Sequence, residues 1–177
     1  MDLGVSDERK LLSHHDLENY LTPLFGSRWL NPHRFVLVSA TKRLASTSHI
    51  SVGYAEGPEP EDLLGWDQFT SELDGGLNTN PNRKTMLRGE LERTARPLPP
   101  CGPVEVRLAF RCSSKRNWTS LWKPTGDCMG PVLGATREAG FNPKDDRIVS
   151  LAHHLEVDDN LKNALLVGMW WRWQGAP

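Results

Sequence analysis

Two stretches of this chain carry the side chains best suited to chemistry. Asp16 to Pro23 (DLENYLTP) holds carboxylates at Asp16 and Glu18, and Asn117 to Asp127 (NWTSLWKPTGD) holds a lysine at Lys123. Set in register at Pro23 and Pro124, Asp16 pairs with Asn117, Glu18 with Thr119, Asn19 with Ser120, Tyr20 with Leu121 and Thr22 with Lys123. They read as two copies of one motif, each keeping a different half. A second acidic feature, Asp145-Asp146 in KDDRIVSL, could bind a metal, although an Asp pair in such a turn is more often turn chemistry. Lys123 could contact phosphate or be a plain helix-end lysine. Asp16 and Glu18 sit two apart, which on a helix aims them apart, while in a first turn or a strained start they could converge.

The histidine and tryptophan pairs invite weaker readings. His153 and His154 fall in a strand, where neighbours face opposite sides, so they cannot chelate one ion together. His14-His15 and these two are expected to be ordinary structural histidines. Trp118, Trp122, Trp170, Trp171 and Trp173 could stack bases but are expected in core or interface.

The elements that must position these groups follow from pattern. Ser6 with Asp7 and Glu8 has the chemistry of a helix start, and the helix is expected to run on through Asp16 with Leu17, Leu21, Leu24 and Phe25 as its buried stripe. Asp16 and Glu18 then fall on other faces, and Pro23 ends or kinks the helix unless it sits near its start. Phe35 to Ala40 and Ser48 to Ala55 read as a β-hairpin with an exposed charged tip at Lys42 and Arg43. Gly57 to Asp62 (GPEPED) is the clearest boundary, separating segment 1–57 from segment 58–177. Leu63, Leu64, Trp66, Phe69 and Leu73 suggest a short amphipathic helix, and a further helix runs from Pro81 to about Arg96 behind an Asn80 cap. Arg96 to Pro103 is a rigid connection that can be neither helix nor central strand. Val104 to Phe110, Ile148 to Leu155 and Leu165 to Trp173 read as strands, with the Asn117 to Asp127 stretch as a helix between the first and second. The expected class is α+β, with small mixed sheets and packed helices.

Composition narrows the functions. With 21 basic against 22 acidic residues, no overall field draws the protein to a polyanion, and nucleic acid would need a local patch. The longest apolar run, Ala164 to Trp171, is far short of the roughly 20 residues that cross a bilayer, so no membrane partner is expected. Three cysteines at positions 101, 112 and 128 lack metal spacing, and no signal architecture opens the chain, so a reducing, cytoplasmic setting is expected.

Beyond the motif both copies keep the same order. Asn31-Pro32 with Phe35-Val36 corresponds to Asn142-Pro143 with Ile148-Val149, and Val52-Gly53-Tyr54 to Val167-Gly168-Met169. On this reading a complete unit follows a partial one, and the two pack as a pseudo-dimer within one chain.

The second unit resembles the RusA-type Holliday-junction resolvases, whose helix pattern D-x-D-N-L-x-K-x-x-L-D-A-L precedes an acidic turn and two strands. The matching positions are Asn117, Thr119, Ser120, Leu121, Lys123, Asp127, Cys128 and Met129, then Asp145-Asp146; Asp16, Glu18, Asn19 and Tyr20 match in the first copy. The resemblance implies Mg²⁺, with Asp16, Glu18, Asp127, Asp145 and Asp146 as ligands and Lys123, Asp145 and Asp146 as the catalytic set. It also implies branched DNA as substrate and action as a homodimer, or here as a monomeric pseudo-dimer. A hard cation taking carboxylates and phosphate oxygens would polarise the scissile phosphate and lower the pKa of an attacking water. The chain departs from the pattern where Asn117 and Thr119 replace the first pair of aspartates, and where Thr22 and His33-Arg34 replace the lysine and acidic turn of the first copy. Neither copy holds a complete site. The leading expectation is therefore a degenerate relative repurposed to bind a partner protein, nucleic acid or small molecule. The alternative is a Mg²⁺-dependent, structure-specific DNA endonuclease, which needs a composite centre drawn from both copies.

Overall fold

The computed structural model describes residues 1–13, 16–26, 35–49, 63–77, 80–135 and 141–175. Its centre is one six-stranded mixed sheet. The strands are β1 (Asp2–Val5), β2 (Leu37–Leu44), β3 (Asp67–Leu73), β4 (Val104–Cys112), β5 (Ile148–Val157) and β6 (Leu165–Trp173), in the order β1-β2-β5-β4-β6-β3. β4 runs parallel to β5 and antiparallel to β6, while β2 pairs antiparallel with β5 and parallel with β1. Strands from both ends of the chain thus share a sheet. The boundary at 57/58 falls outside the described residues, as do His14-His15, the Asn31 to Arg34 turn and most of the expected strand Ser48 to Ala55.

Alternation sets the core face. Val104, Val106, Leu108, Phe110 and Cys112 are buried along β4, and Val167, Met169 and Trp171 along β6. They form one core with Leu17, Leu21 and Phe25 of helix α2 (Leu17–Gly26), which follows the single turn α1 (Glu8–Leu11), and with Leu87 and Leu91 of α3 (Pro81–Thr94). Asn80 caps α3, accepting from the Asn82 amide, with Pro81 in its first turn, as the sequence predicts. The stretch expected as one helix around Trp118 is a 3-10 turn, Trp118–Leu121, continued by α4 (Trp122–Gly126), a 3-10 turn Asp127–Met129 and α5 (Gly130–Leu133). Among the described residues no helix is long and apolar enough to cross a membrane.

Four local expectations are corrected. The helix from Ser6 through Asp16 stops at Leu11, and α2 begins afresh at Leu17. Pro23 lies inside α2, which continues past it to Gly26, so the helix does not end at the proline; what Pro23 removes from the ladder is its own missing N–H. The segment read as a helix over Leu63 to Leu73 is strand β3 from Asp67 onward, because it pairs along its full length with β6 and buries Phe69 and Leu73. Lys42 and Arg43 belong to β2 rather than to a loop tip, and Lys42 is buried.

Gly168 is required by close packing. A Cβ there would stand 2.4 Å from Cη2 of Trp170, whose indole lies against the strand and donates Nε1–H to Gln68 at 3.3 Å. Gly168→Ala is expected to push the indole away, cost about 1–2 kcal/mol in urea unfolding and shift tryptophan emission. Unchanged stability and emission would refute this packing.

Candidate functional site

The start of α2 brings Asp16 and Glu18 together. Asp16 precedes the helix and its Oδ1 accepts the Glu18 amide at 2.9 Å, so the two carboxylates leave a helix start rather than opposite faces of a helix. Glu18 is buried, contrary to its expected placement on an outer face. Phe25, near the other end of α2, packs edge-on against Trp122 of α4 at 5.3 Å.

Lys123, on α4, is the centre of the site. Its Nζ lies 3.2 Å from Asp127 Oδ1, 3.4 Å from Asp145 Oδ2, 3.7 Å from Glu18 Oε2 and 3.9 Å from Asp16 Oδ2. Asp127 reaches it from one turn ahead in sequence, and Asp145 from the 3-10 turn Asp145–Arg147 that opens β5. Three separate parts of the chain therefore deliver four carboxylates to one ammonium. Of the residues singled out from sequence, Asp16, Glu18, Lys123, Asp127 and Asp145 come together. Asp146 does not join these ion pairs of Lys123; its main-chain carbonyl accepts a hydrogen bond from the Lys42 ammonium. Asn117 and Thr119 stand apart, with the Thr119 hydroxyl donating to Asn117 Oδ1 at 2.8 Å.

Burial governs the charges. It pushes the Glu18 carboxyl up to about 8, against the opposing pull of Lys123, and it raises Asp16 with the help of nearby Asp145. Burial brings Lys42 down to about 8 against the attraction of Asp146, Asp16 and Asp145. Lys123 also feels burial, but Glu18, Asp127 and Asp145 outweigh it and hold the ammonium charged. Lys84 of α3 completes the rim, donating to Asp127 Oδ2 at 2.8 Å with its ammonium 4.5 Å from the Phe141 ring centre.

Behind the carboxylates lies His153 of β5, buried and stacked on Trp122 at 4.4 Å with 9° between the rings. Burial drives its pKa down to about 3, so the imidazole is neutral. His154 faces the other side of the sheet, as strand geometry requires. Sequence reasoning missed Lys42, Lys84 and the involvement of His153. The alternation Val38, Ala40, Lys42 was the one available sign that Lys42 points inward.

Among the described residues Lys123 faces four carboxylates, the kind of oxygen donor a hard cation takes, and Glu18 Oε1 is buried with no hydrogen-bond partner among them. Asp16, Glu18, Asp127 and Asp145 are the residues that would hold Mg²⁺. Among the described residues no three acidic, histidine or cysteine side chains stand at the spacing of a metal site. Comparison with protein-family models, with curated proteins and with solved structures finds no significant match to this chain.

Proposed function

We propose that this chain is a divalent-cation-dependent phosphodiesterase acting on nucleic acid, similar to the RusA-type resolvases but with a centre assembled from both copies of its motif. The convergence of Asp16, Glu18, Asp127 and Asp145 on Lys123 carries this reading. The pairing of β2 with β5 supports the duplication: the matched strands are antiparallel neighbours, with Val38 opposite His153, and the matched motif segments meet beside them. In this reading the chain is a pseudo-dimer and branched DNA is the substrate.

A bound Mg²⁺ would supply charge for the phosphodiester and lower the pKa of a water. The chain's own residues do the rest. Lys123, half exposed at the cluster, neutralises charge that builds on the phosphate oxygens. Asp16 and Asp145 accept the proton that a water releases. Lys84 and Lys42 keep the acidic cluster from repelling the substrate.

A second reading is favoured by the neutral Asn117–Thr119 pair and by an ammonium lying where a cation would sit. There the fold binds a partner protein, nucleic acid or small molecule, and Lys123 serves as a permanent internal cation.

Titration with Mg²⁺ or Mn²⁺, followed by tryptophan emission and by cleavage of branched DNA, separates the two. The nuclease reading expects a saturable response through Trp122. Asp145→Asn should lose more activity than the about 10- to 100-fold that removing an outer-shell group costs. Absence of both response and cleavage would leave the binding reading standing.

A further inference from the structure

Glu18 and His153 share a feature that the cluster around Lys123 does not explain. Glu18 is 5% exposed and His153 is 1% exposed, and Glu18 Oε1, His153 Nδ1 and His153 Nε2 all lack hydrogen-bond partners among the described residues. Each such orphan gives up the hydrogen bonds it would make in water. Both side chains line one cavity of about 20 Å³, lined also by Asp16 and Asp145 and by apolar groups such as Leu108 and Trp122. A water needs about 10–15 Å³, so the cavity has room for a water. A phenylalanine would stack on Trp122 as well as the imidazole does, so packing alone does not account for the ring nitrogens.

We propose that this cavity binds a single water between Glu18 Oε1 and His153, and that His153 is a positioning residue holding that water at the floor of the Asp16–Asp145 cluster. A neutral imidazole offers one donor and one acceptor, and a water can meet one of them while also contacting the carboxyl. Resting on the phosphodiesterase reading, this is the water consumed in hydrolysis. Its oxygen forms the new bond to phosphorus, the ester P–O bond breaks, its proton passes to Asp16 or Asp145, and the departing oxygen takes a proton from solvent.

The test uses the full chain as wild type, His153→Phe and His153→Gln. Rotating-frame cross-relaxation should detect a long-lived water at the His153 ring of the wild type. In His153→Phe, kcat for Mn²⁺-dependent cleavage should fall by about 10- to 100-fold with KM and the metal titration midpoint unchanged, and glutamine should restore part of it. No long-lived water in the wild type, wild-type kcat in the phenylalanine variant, or a Co²⁺ spectrum showing nitrogen ligation from His153 would each overturn the proposal. A wild type that neither binds cation nor cleaves DNA removes the hydrolytic role and the function above, while the cross-relaxation result still decides the water site.

Discussion

Glu18→Gln is expected to raise the unfolding free energy above about pH 8 by on the order of 3–5 kcal/mol, even as it removes a carboxylate from the site. Glu18 has a pKa near 8 in the folded protein against an ordinary 4.5, because burial penalises its charged form. Between those values the native state binds more protons than the unfolded chain, so stability falls as pH rises through the window, and the loss is complete above about 8. His153 works from the other side. Its pKa is near 3 in the folded protein against 6.5, so the unfolded chain binds more protons between those values and stability falls as pH drops through them. The two opposite slopes overlap between 4.5 and 6.5, which places the most stable region there. Urea unfolding across pH checks this: Glu18→Gln should flatten the alkaline limb and His153→Phe the acid limb. An alkaline limb unchanged in Glu18→Gln would mean that Glu18 ionises normally. A chain that keeps a costly carboxyl at this position gives up stability where a site needs it.

Arg147→Met is expected to destabilise the fold by about 3–5 kcal/mol. Arg147 is 3% exposed and fans its guanidinium over four carbonyls: Gly102 at 3.0 Å, Pro99 at 2.7 Å, Cys101 at 2.7 Å and Leu133 at 3.2 Å. These acceptors belong largely to the proline-rich connection of residues 96–103, which cannot satisfy itself through regular secondary structure. The planar fork of arginine reaches several of them at once, which a lysine ammonium cannot do. Arg147→Lys should therefore recover only part of the loss. Arg147 also closes the turn that presents Asp145, so both variants should weaken the response to Mn²⁺ as well as lower the urea midpoint. A loss below about 1 kcal/mol would show that water replaces the guanidinium at these carbonyls.

Elements with a strong local pattern were legible. Val104, Val106, Leu108 and Phe110 alternate and form the buried face of β4, and β6 spans the predicted Leu165–Trp173. Leu17, Leu21 and Phe25 recur at helical spacing and are the buried stripe of α2. The segment before Leu73 reads as a helix, because Leu63, Trp66, Phe69 and Leu73 fit a helical period. Its pairing with β6 makes it a strand, and that partner lies about a hundred residues away in sequence.

The candidate site divides in the same way. Residue type marked Asp16, Glu18, Lys123 and Asp145 as groups able to hold a cation or a phosphate, because chemistry is a property of the side chain, and the family resemblance added Asp127. Their meeting was not legible, since Asp16 and Glu18 are joined to Lys123 only by the packing of α2 and α4 over β5, and no local rule links groups so far apart in the chain. Burial was equally out of reach. It turned Lys42 from an expected loop charge into an interior ammonium and raised the Glu18 carboxyl to about 8, because desolvation depends on what the whole fold places around a group.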